Sequence, residues 1–253
     1  MTPRPPGTAR PAADDSTERP DPVAAAADLV ALRFPELRAA FVAGSVLTVR
    51  RTPTSDLDIV VLLAGPPAPY RENLRHLGWP VELFVQTEAD WHRFADQETA
   101  AACSPLLHMC AEGRLLADPD GLGAELRELS RRRLAAGPPP ASPMELERRR
   151  YELTDALDDL RGCPDHPERV HLASQLLRQA SELALRVGGH WLGGGKWLSR
   201  RLAAADPELH ARLIAATAAV VADAPDGVDL LVAVLEQVLD RAGGPFWVGY
   251  RIG

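Results

Sequence analysis

The stretch GSVLTVRRTPTSDLDIVVLL, Gly44 to Leu63, sets two carboxylates directly before a wall of aliphatic residues. Leu57 to Leu63 is a continuous apolar run, suited to a strand buried at the centre of a sheet. Side chains alternate along a strand, so Asp56 and Asp58 share one face while Leu57 and Ile59 share the other. A carboxylate at the edge of a core is costly to desolvate unless something positive meets it. The positive partner of these two acids is therefore the first thing to find.

The neighbouring sequence offers one. Two carboxylates at the entry end of a strand can share divalent cations, and Mg²⁺ typically takes one or two carboxylates and leaves its other positions to water and phosphate oxygens. Upstream, RAAFVAG reads as a short strand ending at Gly44-Ser45. Glycine there lets a phosphate approach the backbone, and Ser45 can donate from its hydroxyl and its amide. Downstream, Glu82 is one acid in the apolar strand pattern WPVELFVQT. If the two strands are neighbours, Glu82 completes a three-acid set with Asp56 and Asp58. The bland alternative for Glu82 is a structural ion pair, for which Arg50 or Arg51 could serve.

Composition narrows the class. The chain has 253 residues, 46% of them hydrophobic, enough for one large domain or two modest ones. A formal net charge of -7 argues against a non-specific nucleic-acid binder. The arginine runs Arg131–Arg133 and Arg148–Arg150 read as solvated helix faces. Cys103, Cys110 and Cys163 have neither disulfide-framework nor zinc-site spacing. With no apolar run long enough to span a membrane and no apolar signal core, the expected location is the cytoplasm.

Along the chain, residues 1–22 are expected to form a disordered tail, rich in Pro, Thr, Asp and Arg. Val23 to Phe34 reads as a helix, and Tyr70 to Leu77 as a short helix between the two acidic strands. Helices over Ala89–Glu98, Leu106–Glu112 and Gly121–Ala135 follow, with a short edge strand at LLAD before Gly121. AAGPPPAS, Ala135 to Ser142, is the clearest linker. Beyond it Ser142, Pro143 and Glu145 form a helix-start signature. Helices then cover about Glu168–Val187, a stretch starting at Asp206-Pro207, and Gly227–Ala242. The expected fold is α+β: a small mixed-sheet domain over 23–136, then an all-α helical bundle over 137–253.

These motifs, in this order, resemble those of the DNA polymerase beta-like nucleotidyltransferase superfamily. Its pattern is a strand, Gly-Ser, a helical segment, Ser-Asp-x-Asp on the next strand and a third acid on a later one. Gly44, Ser45, Ser55, Asp56, Asp58 and Glu82 match it. The chain looks closest to the small antibiotic nucleotidyltransferases of aminoglycoside and lincosamide type. One departure is the segment after Gly-Ser, where Thr48, Val49 and Arg50 stand in place of a glycine common in the family. The resemblance implies that Asp56 and Asp58 hold Mg²⁺ bridging the phosphates of a nucleoside triphosphate, ATP before the others. It implies that Glu82 is a metal ligand or the general base on the acceptor hydroxyl, and that Ser45 and Ser55 contact the triphosphate.

One further candidate lies in HWLGGGKWLSRRL, His190 to Leu202. Of 28 basic residues only Lys196 is a lysine, in a chain otherwise committed to arginine. Lysine is a compact point charge, so Lys196 is a candidate phosphate contact; the alternative is a glycine-rich helix connection. Asp155 is a weaker candidate for a catalytic base. The expected partners are a nucleotide and a small-molecule acceptor, with no membrane and no nucleic acid; the oligomeric state is open, an oligomer included. Two other readings compete: a protein- or tRNA-modifying nucleotidyltransferase of toxin–antitoxin type, and a non-catalytic nucleotide-sensing module.

Overall fold

The computed structural model describes residues 19–251. The expected disordered tail lies outside the described residues except for its last four positions. Asp21 in that remainder caps the first helix, its carboxylate accepting from the amides of Val23 and Ala24.

The chain divides into two compact units: the described residues up to Asp90 with Met109–Arg127, and Trp91–His108 with Glu128–Gly253 up to its last described residue. The first unit is built on a five-stranded mixed sheet of order β3-β4-β2-β1-β5. Its strands are β1 (Ala39–Ala43), β2 (Leu57–Leu63), β3 (Tyr70–His76), β4 (Trp79–Thr87) and β5 (Arg114–Ala117). β2 and β4 run parallel, and every other pair is antiparallel. Helix α1 (Pro22–Arg33) covers one face. Its Ala25, Ala26, Leu29 and Val30 pack with Val42, Leu57, Ile59, Val61, Val81, Leu83 and Val85 in one buried cluster. The alternation foreseen from the sequence is thus realised: odd positions of β2 go to this core, and Asp58 goes to the other face.

The segment Tyr70–His76 corrects an expectation, being an edge strand and not a helix. Its even positions face α1, where Glu72 pairs with Arg33 and His76 with Asp28. Arg71, Asn73 and Arg75 are exposed on the opposite face. The turn to β4 is made by Leu77 and Gly78, both at positive φ (47° and 80°). That geometry matches the twist of a two-residue hairpin. Ordinarily Asn or Gly would announce it; a leucine in the first place conceals it.

The second unit is helical. Its main elements are α5 (Pro143–Gly162), α6 (His166–Val187), α7 (Lys196–Ala205), α8 (Pro207–Val221) and α9 (Gly227–Arg241). They share one core in which Leu153, Leu157, Leu160, Leu176, Leu183, Leu213, Leu235 and Leu239 are buried. Most of these fall at the helical spacing legible in the sequence. α7 is an element the sequence reading did not separate from the glycine-rich connection. Helices α2 (Glu88–Ala100), α3 (Pro105–Glu112) and α4 (Leu122–Ala136) precede the bundle in the chain.

The division between units does not fall at 136/137. Hydrogen bonds give the reason. The Trp191 indole donates to the carbonyl of Leu134, the Leu192 amide donates to that of Ala102, and Arg133 pairs with Asp96. Trp91–His108 and the end of α4 therefore belong with the bundle. The Ala135–Ser142 linker is fastened too. Arg186, buried in α6, donates to the carbonyl of Pro139 and to Glu145. Ser142 caps α5 as expected, accepting from the Glu145 amide, but the Glu145 side chain pairs with Arg149 and Arg186 instead of closing a capping box.

Candidate active site

Strand register decides which acids meet. In the parallel β2–β4 ladder Asp58 stands opposite Glu82. On the other side of β2, Asp58 faces Ala43 of β1, and beyond β4, Glu82 faces Asn73 of β3. One row across four strands therefore reads Asn73, Glu82, Asp58, Ala43, all on the face turned away from α1. Neighbouring strands lie about 4.8 Å apart, which brings two carboxylates within reach of one ion. Both acids are half-buried.

Gly44 follows Ala43 at φ 100°, in the region that favours glycine. A Cβ at Gly44 would lie 2.5 Å from Oδ2 of Asp58. The glycine thus serves two needs, the left-handed turn at the end of β1 and the close approach of the Asp58 carboxylate to the backbone. The chain then makes a single 3-10 turn over Ser45–Leu47.

Ser45 and Ser55 are buried and their hydroxyl oxygens are 3.0 Å apart. Ser55 Oγ also accepts from the Thr52 amide at 3.0 Å. The two serines therefore brace the loop between β1 and β2 and fix where β2 begins. This loop is further held by Arg19, which donates to the carbonyl of Pro53, and by Arg51, whose guanidinium stacks 4.7 Å from the Trp79 ring.

Asp56 is half-buried one residue before β2 and outside its ladder, whose first pair is Leu57 with Val81. Among the described residues no group of three or more His, Cys, Asp or Glu side chains is arranged to hold a metal ion. The expected three-acid set is therefore not assembled: the register brings Asp58 and Glu82 together, and Asp56 stands outside the ladder. Two carboxylates of this kind, both hard oxygen donors, still fit Mg²⁺, which commonly takes no more from a protein.

The cation that does meet Glu82 in the structure is Arg71, not Arg50 or Arg51. Arg71 Nε donates to Glu82 Oε1 at 2.7 Å, and Nη2 reaches the same oxygen. The guanidinium lies 4.5 Å from the centre of the Phe84 ring. Glu82 is 22% exposed and Arg71 61%. A helix over Tyr70 to Leu77 would not set Arg71 and Asn73 beside Glu82; the observed edge strand does. The signal that could have found them is the strict alternation of Arg71, Asn73 and Arg75 with Tyr70, Glu72 and Leu74.

Lys196 is exposed at the first position of α7, in the second unit. Asp155, also in that unit, is half-buried on α5. Neither belongs to the row of residues described above. A cavity of 170 Å³ in the second unit is lined by residues including His190, Leu202, Asp206 and Arg241, and contains none of the expected site residues.

No protein-family model matches the chain, and no curated protein matches it. Among solved structures, a nucleotidyltransferase-like protein from Exiguobacterium sibiricum 255-15 is similar to it with a TM-score of 0.49 and 14% identity. The match covers 86% of this chain and 74% of that one. Among the described residues no helix is long and apolar enough to cross a membrane.

Proposed function

We propose that the chain is a cytoplasmic, Mg²⁺-dependent nucleotidyltransferase that moves a nucleoside monophosphate, AMP from ATP in the first instance, to a hydroxyl of a small-molecule acceptor such as an antibiotic. The observation that carries this reading is the register of Asp58 with Glu82 beside a glycine that lets Asp58 approach the backbone. Asp56 and Asp58 would hold the cation, with Glu82 as a further ligand or as the base for the acceptor hydroxyl. When bound, Mg²⁺ supplies neutralisation of the phosphate charge during transfer.

The remaining chemistry falls to the chain. Ser55 already accepts from the Thr52 amide, so it can give its own proton to Ser45. Ser45 then keeps a hydroxyl proton for a phosphate oxygen. The polar face of the row, with Asn73 next to Glu82, is the side on which nucleotide and acceptor would lie. A base at Glu82 must come within about 3 Å of the acceptor hydroxyl, and its half-buried place on a central strand holds it still for that purpose.

The test is calorimetry with a non-hydrolysable ATP analogue, with and without Mg²⁺, on the wild type and on the Asp56→Asn, Asp58→Asn double variant. Binding that requires both Mg²⁺ and the aspartates supports the reading and justifies a screen of acceptors. A folded wild type that binds none of the ATP, GTP, CTP and UTP analogues overturns it.

A further inference from the structure

We propose that Arg71 is a built-in counter-cation of the site, holding Glu82 before ligands arrive and turning to the nucleotide's phosphates once a divalent cation is seated. The proposal rests on the nucleotidyltransferase reading of Asp58 and Glu82.

Both contacts from Arg71 go to one oxygen, Oε1 of Glu82. Among the described residues the second oxygen carries no contact from Arg71 and is left for another ligand. Arg71 stands opposite Phe84 in the β3–β4 ladder, and Asn73 stands opposite Glu82. The guanidinium therefore crosses diagonally to reach the acid, resting on the Phe84 ring on its way. It is well exposed while its partner is not. β3 is an edge strand, so nothing in the sheet lies beyond Arg71. Arg71, Asn73 and Arg75 make an exposed polar strip along the same face as the two acids. An acid pair bordered by such a strip matches a metal–triphosphate, which offers positive and negative charge side by side.

The electrostatics have a definite sign. A guanidinium on Glu82 repels an incoming divalent cation and weakens its binding when no phosphate accompanies it. The same charge favours the triphosphate, since a fork of N–H donors suits phosphate oxygens. Arg71 thus makes the affinities for cation and nucleotide depend on each other, disfavouring the cation alone and favouring the pair.

The experiment compares wild type, Arg71→Met, Arg71→Lys and Arg33→Met. Arg33→Met removes a charge that is paired with β3 on the opposite face of the sheet, through Glu72. Binding of Mn²⁺ alone is read by electron paramagnetic resonance, and binding of the ATP analogue with Mg²⁺ by calorimetry. Arg71→Met is expected to bind Mn²⁺ alone roughly three- to tenfold tighter and the Mg²⁺–nucleotide about tenfold weaker. Arg71→Lys falls between, and Arg33→Met follows the wild type in both. If Arg71→Met moves neither affinity, or moves both in the same direction, the counter-cation role is wrong. That failure is distinct from failure of the underlying reading, in which the folded wild type itself binds neither Mn²⁺ nor any nucleotide and both proposals fall.

Discussion

Asp58 on β2 and Glu82 on β4 are register partners in a parallel ladder, two acids from segments 24 residues apart set side by side on one face of the sheet. Their neighbours fix them there. Leu57, Ile59, Val81 and Leu83 are buried in the core beneath α1, so a slip of either strand by one residue would exchange acids for aliphatics. The register that makes the core also makes the site.

Gly44 has no room for a side chain. Gly44→Ala places a Cβ against Oδ2 of Asp58 and adds strain at φ 100°. The expected cost is about 1–3 kcal/mol of stability, read by urea denaturation. Nucleotide binding should weaken beyond what the stability loss explains, because the Asp58 carboxylate itself must move.

The loop before β2 depends more on Ser55 than on Ser45. Ser55→Ala leaves both the Thr52 amide and the Ser45 hydroxyl short of a partner, whereas Ser45→Ala affects only the bond between the two serines among those described for the pair. Denaturant unfolding should give a loss of about 1–2 kcal/mol for Ser55→Ala and a smaller one for Ser45→Ala.

In the helical unit, Glu145 predicts an acid-sensitive stability. Its bonds to the Arg186 guanidinium, helped by Arg149 and opposed by desolvation, lower its pKa from the ordinary 4.5 to about 2. A depressed carboxylate stabilises the fold above its unfolded value and loses that contribution as pH falls through the folded one. The loss should therefore run from about pH 4.5 down to about pH 2. Thermal unfolding across this window should fall less steeply for Glu145→Gln, which should also be less stable than wild type at pH 7.

Asp206 has two tasks that substitution can separate. It caps α8 by accepting from the Leu209 amide, and it pairs with Arg241 at 2.7 Å. These contacts, the Leu209 amide first, lower its pKa. Asp206→Ala should cost about 1–2 kcal/mol and Asp206→Asn distinctly less, since asparagine retains the cap. An equal loss for both would place the stability in the exposed ion pair, contrary to expectation.

Much of this was legible in the sequence where one physical signal dominated. The runs Leu57–Leu63 and Trp79–Thr87 are strands over the same residues their apolar patterns indicated. The caps at Ser142 and Asp206, each followed by proline, start helices where they should. Legibility failed where signals competed. Tyr70–His76 carries Arg, Glu and Leu, all good helix formers, and its hairpin is closed by a leucine at positive φ. Tertiary pairing with β4 overrode local propensity, as it commonly does. The pairing of Glu82 with Arg71 was hidden for the same reason, since it exists only if β3 is a strand. The junction between units was obscured because Trp191 and Leu192 hydrogen-bond to segments far earlier in the chain.

The most direct measurement is a double-mutant cycle on Asp58 and Glu82, with Mg²⁺-dependent binding of the ATP analogue as the readout. Wild type, Asp58→Asn, Glu82→Gln and the double variant are compared. If the two acids share one cation, either single change removes most of the binding and the second adds little. The coupling should then be about 1–3 kcal/mol. Losses that simply add, or a Glu82→Gln variant that binds as tightly as wild type, would contradict a shared cation and leave Glu82 only the role of base on the acceptor hydroxyl.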